Sequence, residues 1–143
     1  MGKDKFKTVV KALVTNHGDI LVGEKEKDLD HPISGEWHLI EGYLRHGEEI
    51  EQAVKEKVKD QTGLEVDIHQ TIDIMTYSEE ESLQILFHCV ADSRNIEASK
   101  SLEEVKWVSP EDLEDHLDET ELDRIKKRPA QAKFLEKIEK TPY

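Results

Sequence analysis

Two carboxylates, Glu56 and Asp60, are four residues apart and have the chemistry to share a cation. On a helix this spacing puts both side chains on one face. Hard divalent cations prefer oxygen ligands, and a bound cation can activate water for a hydrolytic reaction. Lys57 lies beside the pair, and an ammonium group at ligand distance repels a cation. The alternative interpretation is a solvated helix edge, with both carboxylates paired to neighbouring lysines.

A helix predicted at about residues 48–61 must position these groups. Its apolar residues recur at helical spacing and define an inward face: Ile50, Ala53, Val54 and Val58. Gly63 follows, a residue that can take the left-handed conformation in which helices end. At about 100° per residue, Lys57 and Gln61 point near the middle of the inward face, and the two carboxylates lie about 100° to one side.

Strands and further helices surround this helix in the sequence. A hairpin is predicted around a turn at residues 16–19, followed by a loop at 28–36. Four more strands are predicted, at residues 64–68, 71–77, 83–90 and 105–108. A capped helix start is predicted at 109–112, and a last helix at about 130–139. This order indicates an α/β (α+β) layered domain.

Charge and composition limit the partners. Lys and Arg number 20 against 33 Asp and Glu, a formal net charge of −13. Binding to nucleic acid or to an anionic membrane surface needs clustered cations, so we expect neither partner. No apolar run approaches the ~20 residues that cross a bilayer. Residues 1–7 lead into a strand-like run instead of a signal peptide, and Cys89 is the single cysteine, so we expect a cytoplasmic protein.

The segment from residue 35 to residue 64 resembles the box motif of the Nudix (MutT-like) hydrolase family. That motif is a loop–helix–loop of pattern G-x5-E-x7-R-E-U-x-E-E-x-G-U, in which U is a bulky aliphatic residue. Gly42 and Glu48 match the first glycine and the first glutamate, and Val58 matches the aliphatic position. Gly63-Leu64 matches the closing pair. The supporting residues Trp37, Gly47, Ala53-Val54 and Thr62 agree as well.

The resemblance extends to the hairpin and to the strand at 83–90, and covers roughly residues 5–138. It implies an αβα sandwich around a mixed β-sheet, formed by one domain over residues 1–143 with its box region at 42–64 and C-terminal helices at 109–140. It also implies a cleft for a nucleoside-diphosphate-type ligand. In active members of the family, box glutamates hold magnesium or manganese for hydrolysis of a phosphoanhydride bond. A homodimer is a common family arrangement.

The box departs from the family pattern at the residues that the chemistry uses. In the register set by the matching glycines, R-E-U-x-E-E becomes Glu56-Lys57-Val58-Lys59-Asp60-Gln61. Lys57 and Gln61 therefore stand where the resemblance implies metal-binding glutamates. Of the expected helix carboxylates Asp60 alone remains, so we expect metal-dependent hydrolysis to be lost or strongly impaired.

Lys57 is interpreted as a built-in cation in the place of the metal, paired with Glu41, Asp60 or Glu104. A compact ammonium group can still attract a diphosphate. The opposing interpretation is a lysine whose stem packs on the edge of the core while its ammonium points to solvent.

The other site residues follow from their match to the box or from their position beside it. The expected ligand contacts are Lys57, Glu41, Gly42, Arg45 and His38. If hydrolysis survives, the expected metal ligands are Glu48, Glu56 and Asp60, and the expected catalytic groups are Asp60, Glu56 and Glu104. The alternatives to a binding protein without hydrolysis are an active magnesium- or manganese-dependent pyrophosphohydrolase with relocated carboxylates, and a protein-interaction module of the same fold.

Overall fold

The first two strands form a tight hairpin in the middle of the sheet. The computed structural model describes residues 6–25, 37–99 and 102–140, so the loop predicted at 28–36 lies outside the described residues. β1 (Lys7–Asn16) and β2 (Asp19–Lys25) pair antiparallel next to the turn. His17 and Gly18 close the turn with φ of +51° and +86°, the left-handed conformations that a two-residue hairpin turn uses. The predicted hairpin is confirmed.

On one of its two sides, β1 pairs with different strands at its two ends. Farther from the turn it pairs antiparallel with β4 (Ile40–Tyr43), whereas β2 pairs with β3 (Trp37–His38) and β7 (Leu102–Val108). On its other side β1 pairs parallel with β6 (Ser82–Ala91), which pairs antiparallel with β5 (Val66–Tyr77). The result is a seven-stranded mixed sheet of order β3-β2-β1-β6-β5, with β4 on β1 and β7 on β2.

Helices cover both faces of this sheet. They are α1 (Ile50–Thr62), α2 (Leu113–His116), α3 (Glu119–Lys127) and α4 (Pro129–Lys140). Val54 and Val58 of α1 pack in one apolar cluster with Val10 of β1. Leu13 of β1 packs in the other cluster with residues of α2, α3 and α4. Because alternate residues of a strand point to opposite faces, the predicted αβα sandwich around a mixed β-sheet is confirmed.

Some element boundaries differ from the predicted ones. β5 is one strand where two were predicted, because register shifts near Ile68 and Thr71 let its pairing with β6 continue past the break in its alternation. The helix predicted from residue 109 begins at Leu113, since residues 109–112 form a turn in which Asp112 N–H donates to the Ser109 carbonyl at 3.0 Å. Ile50, predicted on the inward face, is exposed.

Gly63 ends α1 as predicted, with φ of +80° and its N–H bonded to the Lys59 carbonyl. None of the helices in the described part of the chain is long and apolar enough to cross a bilayer. That the whole chain forms a single domain stays a prediction.

A buried histidine couples the stability of this fold to pH. His88 of β6 is 1% exposed, with Nε2 2.8 Å from the Thr15 hydroxyl oxygen and its ring 4.6 Å from that of Phe134. Burial lowers the pKa of His88 from 6.5 to about 4. As the pH falls, His88 therefore binds a proton near pH 6.5 in the unfolded chain but only near pH 4 in the folded chain. In that window the free energy of unfolding falls as the pH drops.

We expect His88→Gln to remove this part of the pH dependence, about 1.4 kcal/mol for each unit of pKa difference. Urea unfolding of the wild type and the variant between pH 6.5 and about pH 4 measures the effect. His46→Gln, at an exposed loop position, serves as the control and should keep the wild-type slope. An unchanged slope in His88→Gln would contradict the assignment.

Candidate functional site

α1 contacts β4 through a lysine that lies on a glycine. A Cβ atom built on Gly42 would be 2.5 Å from Cδ and 2.8 Å from Cε of Lys57, so a larger residue could not sit there without moving the lysine. The Lys57 ammonium is 3.6 Å from the Glu48 carboxylate, and the two side chains are 17% and 26% exposed. The stem thus packs on the edge of the core while the ammonium joins an ion pair. The partner is Glu48, not Glu41, Asp60 or Glu104 as the sequence interpretation expected.

Glu48 also closes the loop that leads into α1. Its carboxylate accepts the backbone N–H of Arg45 at 2.5 Å, and its own N–H donates to the Arg45 carbonyl at 3.1 Å. Gly47 makes this tight turn possible with φ of +87°. The Arg45 N–H and then the Lys57 ammonium lower the pKa of Glu48, which keeps the carboxylate charged.

Gln61 lies one turn beyond Lys57 on the inward face of α1, as the helical projection predicts, and there it points at β4. Its side-chain amide donates from Nε2 to the backbone carbonyl of Glu41 at 2.9 Å. Its other polar atom, Oε1, is buried and has no hydrogen-bond partner among the described residues. Gln61 is 9% exposed, so this acceptor lies at the inner end of the site beside β4.

Glu56 and Asp60 lie on the solvent side of α1. The Glu56 carboxylate accepts a hydrogen bond from Gln52 Nε2 at 3.3 Å. Glu56 lines a surface groove of about 510 Å³ with residues of the outer side of α1 and of the chain beyond it: Gln52, Lys55, Lys59, Glu65, Val66, Asp67 and Asp92. In the part of the chain that the structure describes, no three His, Cys, Asp or Glu side chains are close enough to hold a metal ion. Glu48, Glu56 and Asp60 are therefore not brought together.

The other expected site residues are dispersed. Glu104 is exposed on β7, opposite Glu24 of β2. Arg45 is exposed on the loop before α1. His38 is buried and contacts a carboxylate of α3. The catalytic and metal-binding roles expected for Glu56, Asp60 and Glu104 stay predictions.

A second charged cluster lies on the face of β4 that points away from α1. Glu121 of α3 is 4% exposed and accepts hydrogen bonds from the Lys11 ammonium, from His38 Nδ1 at 3.1 Å and from the Leu39 backbone N–H at 3.2 Å. The Lys11 ammonium is also 3.7 Å from the Glu41 carboxylate. Glu41 thus links this second cluster to the group formed by Lys57, Glu48 and Gln61. Its backbone carbonyl accepts a hydrogen bond from Gln61, and its carboxylate lies near the Lys11 ammonium.

In this second cluster, each charged group stabilises the charged form of its partners. Burial disfavours the charged form of each group, but the contacts with Glu121 outweigh burial and raise the pKa of Lys11 and of His38. In the same way, Lys11 and His38 outweigh burial and lower the pKa of Glu121. Neither Lys11 nor Glu121 was among the site residues predicted from the sequence. The available signal was Lys11 itself, the single charge in the apolar run at residues 9–15.

Comparison with known proteins assigns the chain to a family. The NUDIX domain model matches residues 5–136. The nucleoside triphosphatase NudI of Escherichia coli O139:H28 (strain E24377A / ETEC) is 26% identical over 120 residues, which cover 75% of this chain and 84% of that protein. The chain therefore belongs to the NUDIX domain family, as the resemblance of its box predicted.

Solved structures share this fold. A NUDIX hydrolase from Nitrosomonas europaea matches with a TM-score of 0.76 at 15% identity, covering 88% of this chain and 71% of that one. A bifunctional NMN adenylyltransferase/ADP ribose pyrophosphatase from Francisella tularensis, in complex with AMP and a manganese ion, matches with a TM-score of 0.69 at 20% identity. That match covers 88% of this chain and 42% of the Francisella chain.

The contact between Gly42 and Lys57 can be tested through the carboxylate of Glu48. We expect Gly42→Ala to push the lysine stem aside and to raise the pKa of Glu48, because the ammonium then leaves the carboxylate. Lys57→Met should raise this pKa by the same amount, and the double variant should add nothing. NMR titration of the Glu48 carboxyl carbon measures the change.

Lys59→Met is the matched control, since Lys59 pairs with Glu65 on the exposed side of α1. The Glu48 pKa should keep its wild-type value in that variant. Additive shifts in the Gly42→Ala, Lys57→Met double variant would show that the glycine and the lysine act independently.

Proposed function

We propose that the protein binds a phosphoanhydride compound of the nucleoside-diphosphate type without a divalent metal, and that metal-dependent hydrolysis is lost or strongly impaired. The observation that supports this function is the position of Lys57, whose stem lies on Gly42 and whose ammonium faces Glu48. A lysine therefore stands at the box position where active family members carry a metal-binding glutamate.

The side chains around Gly42 do not fit a magnesium or manganese ion. Two positive charges ~4 Å apart repel by ~4 kcal/mol even at an effective dielectric constant of ~20. Gln61 adds an amide N–H that already donates to the Glu41 carbonyl. The amide oxygen of Gln61 and the Glu48 carboxylate are too few acceptors to offset the ammonium, because magnesium demands near-octahedral oxygen coordination.

The same groups suit a small anion. The Lys57 ammonium nitrogen is 3.6 Å from the Glu48 carboxylate, which is longer than the ~2.7–3.2 Å of a hydrogen bond. An N–H of the ammonium group can therefore donate to a phosphate oxygen of a ligand. The buried Oε1 atom of Gln61 can accept a hydrogen bond from a ligand hydroxyl or a water molecule. The net charge of −13 disfavours long polyanions and so favours a small ligand.

The relatives support this class of ligand. NudI carries the name of a nucleoside triphosphatase, and the Francisella protein was solved with AMP. The relatives are named for hydrolysis, which makes turnover the property that must be measured first.

We expect no metal-dependent phosphate release by the wild type from a pooled set of nucleoside-diphosphate derivatives with magnesium or manganese. The Lys57→Glu, Gln61→Glu double variant should bind manganese more tightly than the wild type and release phosphate, because it returns two carboxylates to the inward face of α1. A phosphate assay with metal or with chelator measures turnover, and calorimetry measures metal affinity.

Lys59→Glu, Gln52→Glu is the matched control, because it makes the same exchanges at exposed positions of α1 and should gain nothing. Metal-dependent turnover by the wild type would overturn the proposed loss of hydrolysis. It would instead favour the relocated carboxylates Glu48, Glu56 and Asp60.

Ligand binding itself is expected to be independent of metal. In the presence of chelator, ADP or pyrophosphate should raise the melting temperature of the wild type, since binding to the native state at a hundred times Kd adds about 2.7 kcal/mol. Lys57→Met should abolish the rise, and Lys59→Met should keep it. If no phosphate compound changes the melting temperature of the wild type, the protein-interaction module becomes the better assignment.

A further inference from the structure

The second charged cluster is built as a receptor for a carboxylate. Its three donors belong to the sheet and to the β3–β4 junction: the Lys11 ammonium, the His38 ring and the Leu39 backbone N–H. They converge on the two oxygens of one carboxylate, with the His38 and Leu39 donors on Oε2 and the Lys11 donor on Oε1. The acceptor comes from a different element, α3, so the donors would keep their positions in the sheet if that helix moved.

Glu121 is the main polar contact of α3 with the sheet. Desolvation offsets much of the free energy that a buried ion pair gains from its attraction, whereas a buried apolar residue gives a net gain. The buried residues of α3 are Glu121 and Ile125, so a single apolar side chain is fully buried. The ion pair of Arg124 with Glu80 is partly exposed and contributes little. The attachment of α3 to the sheet therefore depends on the donors around Glu121.

An unsatisfied acceptor lies on the same face of the sheet. Gln84 of β6 is 7% exposed, and its Oε1 atom is buried without a hydrogen-bond partner among the described residues. In the parallel pairing Gln84 lies opposite Val9, two residues before Lys11 on β1. Gln84 and Lys11 therefore share the face that points to α3. A ligand group that carries an N–H or O–H donor beside its anion would satisfy this atom.

We propose that Lys11, His38 and the Leu39 N–H form a second binding site, which takes an oxyanion group of a small ligand, either a carboxylate or a phosphate. Glu121 occupies this site as an internal substitute, and α3 withdraws from it when the ligand binds. The site lies on the side of β4 opposite Lys57, so it does not depend on the function proposed for Lys57.

Removal of the internal occupant tests the site. In Glu121→Ala, addition of acetate or inorganic phosphate should shift the Leu39 amide signal in NMR spectra, with a Kd at least tenfold lower than in the wild type. Glu119→Ala, an exposed position of the same helix, is the matched control and should behave as the wild type. Adding Lys11→Met to Glu121→Ala should abolish the binding. The tighter of the two anions identifies the ligand group.

The wild type provides the second test. Acetate or phosphate, compared with chloride at equal ionic strength, should increase hydrogen exchange of the amides of residues 119–127, and Lys11→Met should remove the response. A folded Glu121→Ala whose Leu39 signal responds no more than that of Glu119→Ala would overturn the site. If Glu121→Ala does not fold, the hydrogen-exchange measurement on the wild type tests the proposal. Unchanged hydrogen exchange across α3 on addition of acetate or phosphate would overturn it.

Discussion

The close contact of α1 with β4 at Gly42 is the constraint on which the arrangement of the site depends. Because Gly42 has no side chain, the Lys57 stem can lie directly on the strand. That contact brings the lysine to Glu48 and the next turn of the helix to the Glu41 carbonyl. The apolar face of α1 would pack on the sheet in any case, but the glycine determines how near its polar residues come to β4.

The fold, and the inward positions of Lys57 and Gln61 on α1, were predictable from the spacing of apolar residues in the sequence. Helical spacing alone places Lys57 and Gln61 on the inward face of α1, and the alternating or apolar runs locate the strands. The pairing of Lys57 with Glu48 was missed because it depends on how the loop around Gly47 turns back, which a helical projection does not contain. The contact of Glu121 with the sheet was missed for a stronger reason, since nothing distinguishes this acid within the acidic run at residues 111–123.

In this chain the residues that pack the core are different from the residues that determine the chemistry of the site. Packing needs only the apolar face of α1, the glycine at β4 and the left-handed Gly63, and these match the family box. Lys57 ends in an ion pair with Glu48 and Gln61 meets β4 through its amide, so the identity of these two residues can change while the core of the sandwich stays the same. A family fold is therefore firm evidence for architecture and much weaker evidence for turnover.

Glu41 belongs to both charged clusters, one through its backbone carbonyl and the other through its carboxylate. A ligand that moves the strand at this residue on one face must also alter the groups that face the other. Such coupling is reciprocal by thermodynamic necessity, so each occupant would change the affinity of the other by the same factor. Glu41 of β4 would then act as an allosteric link through the thickness of a single strand.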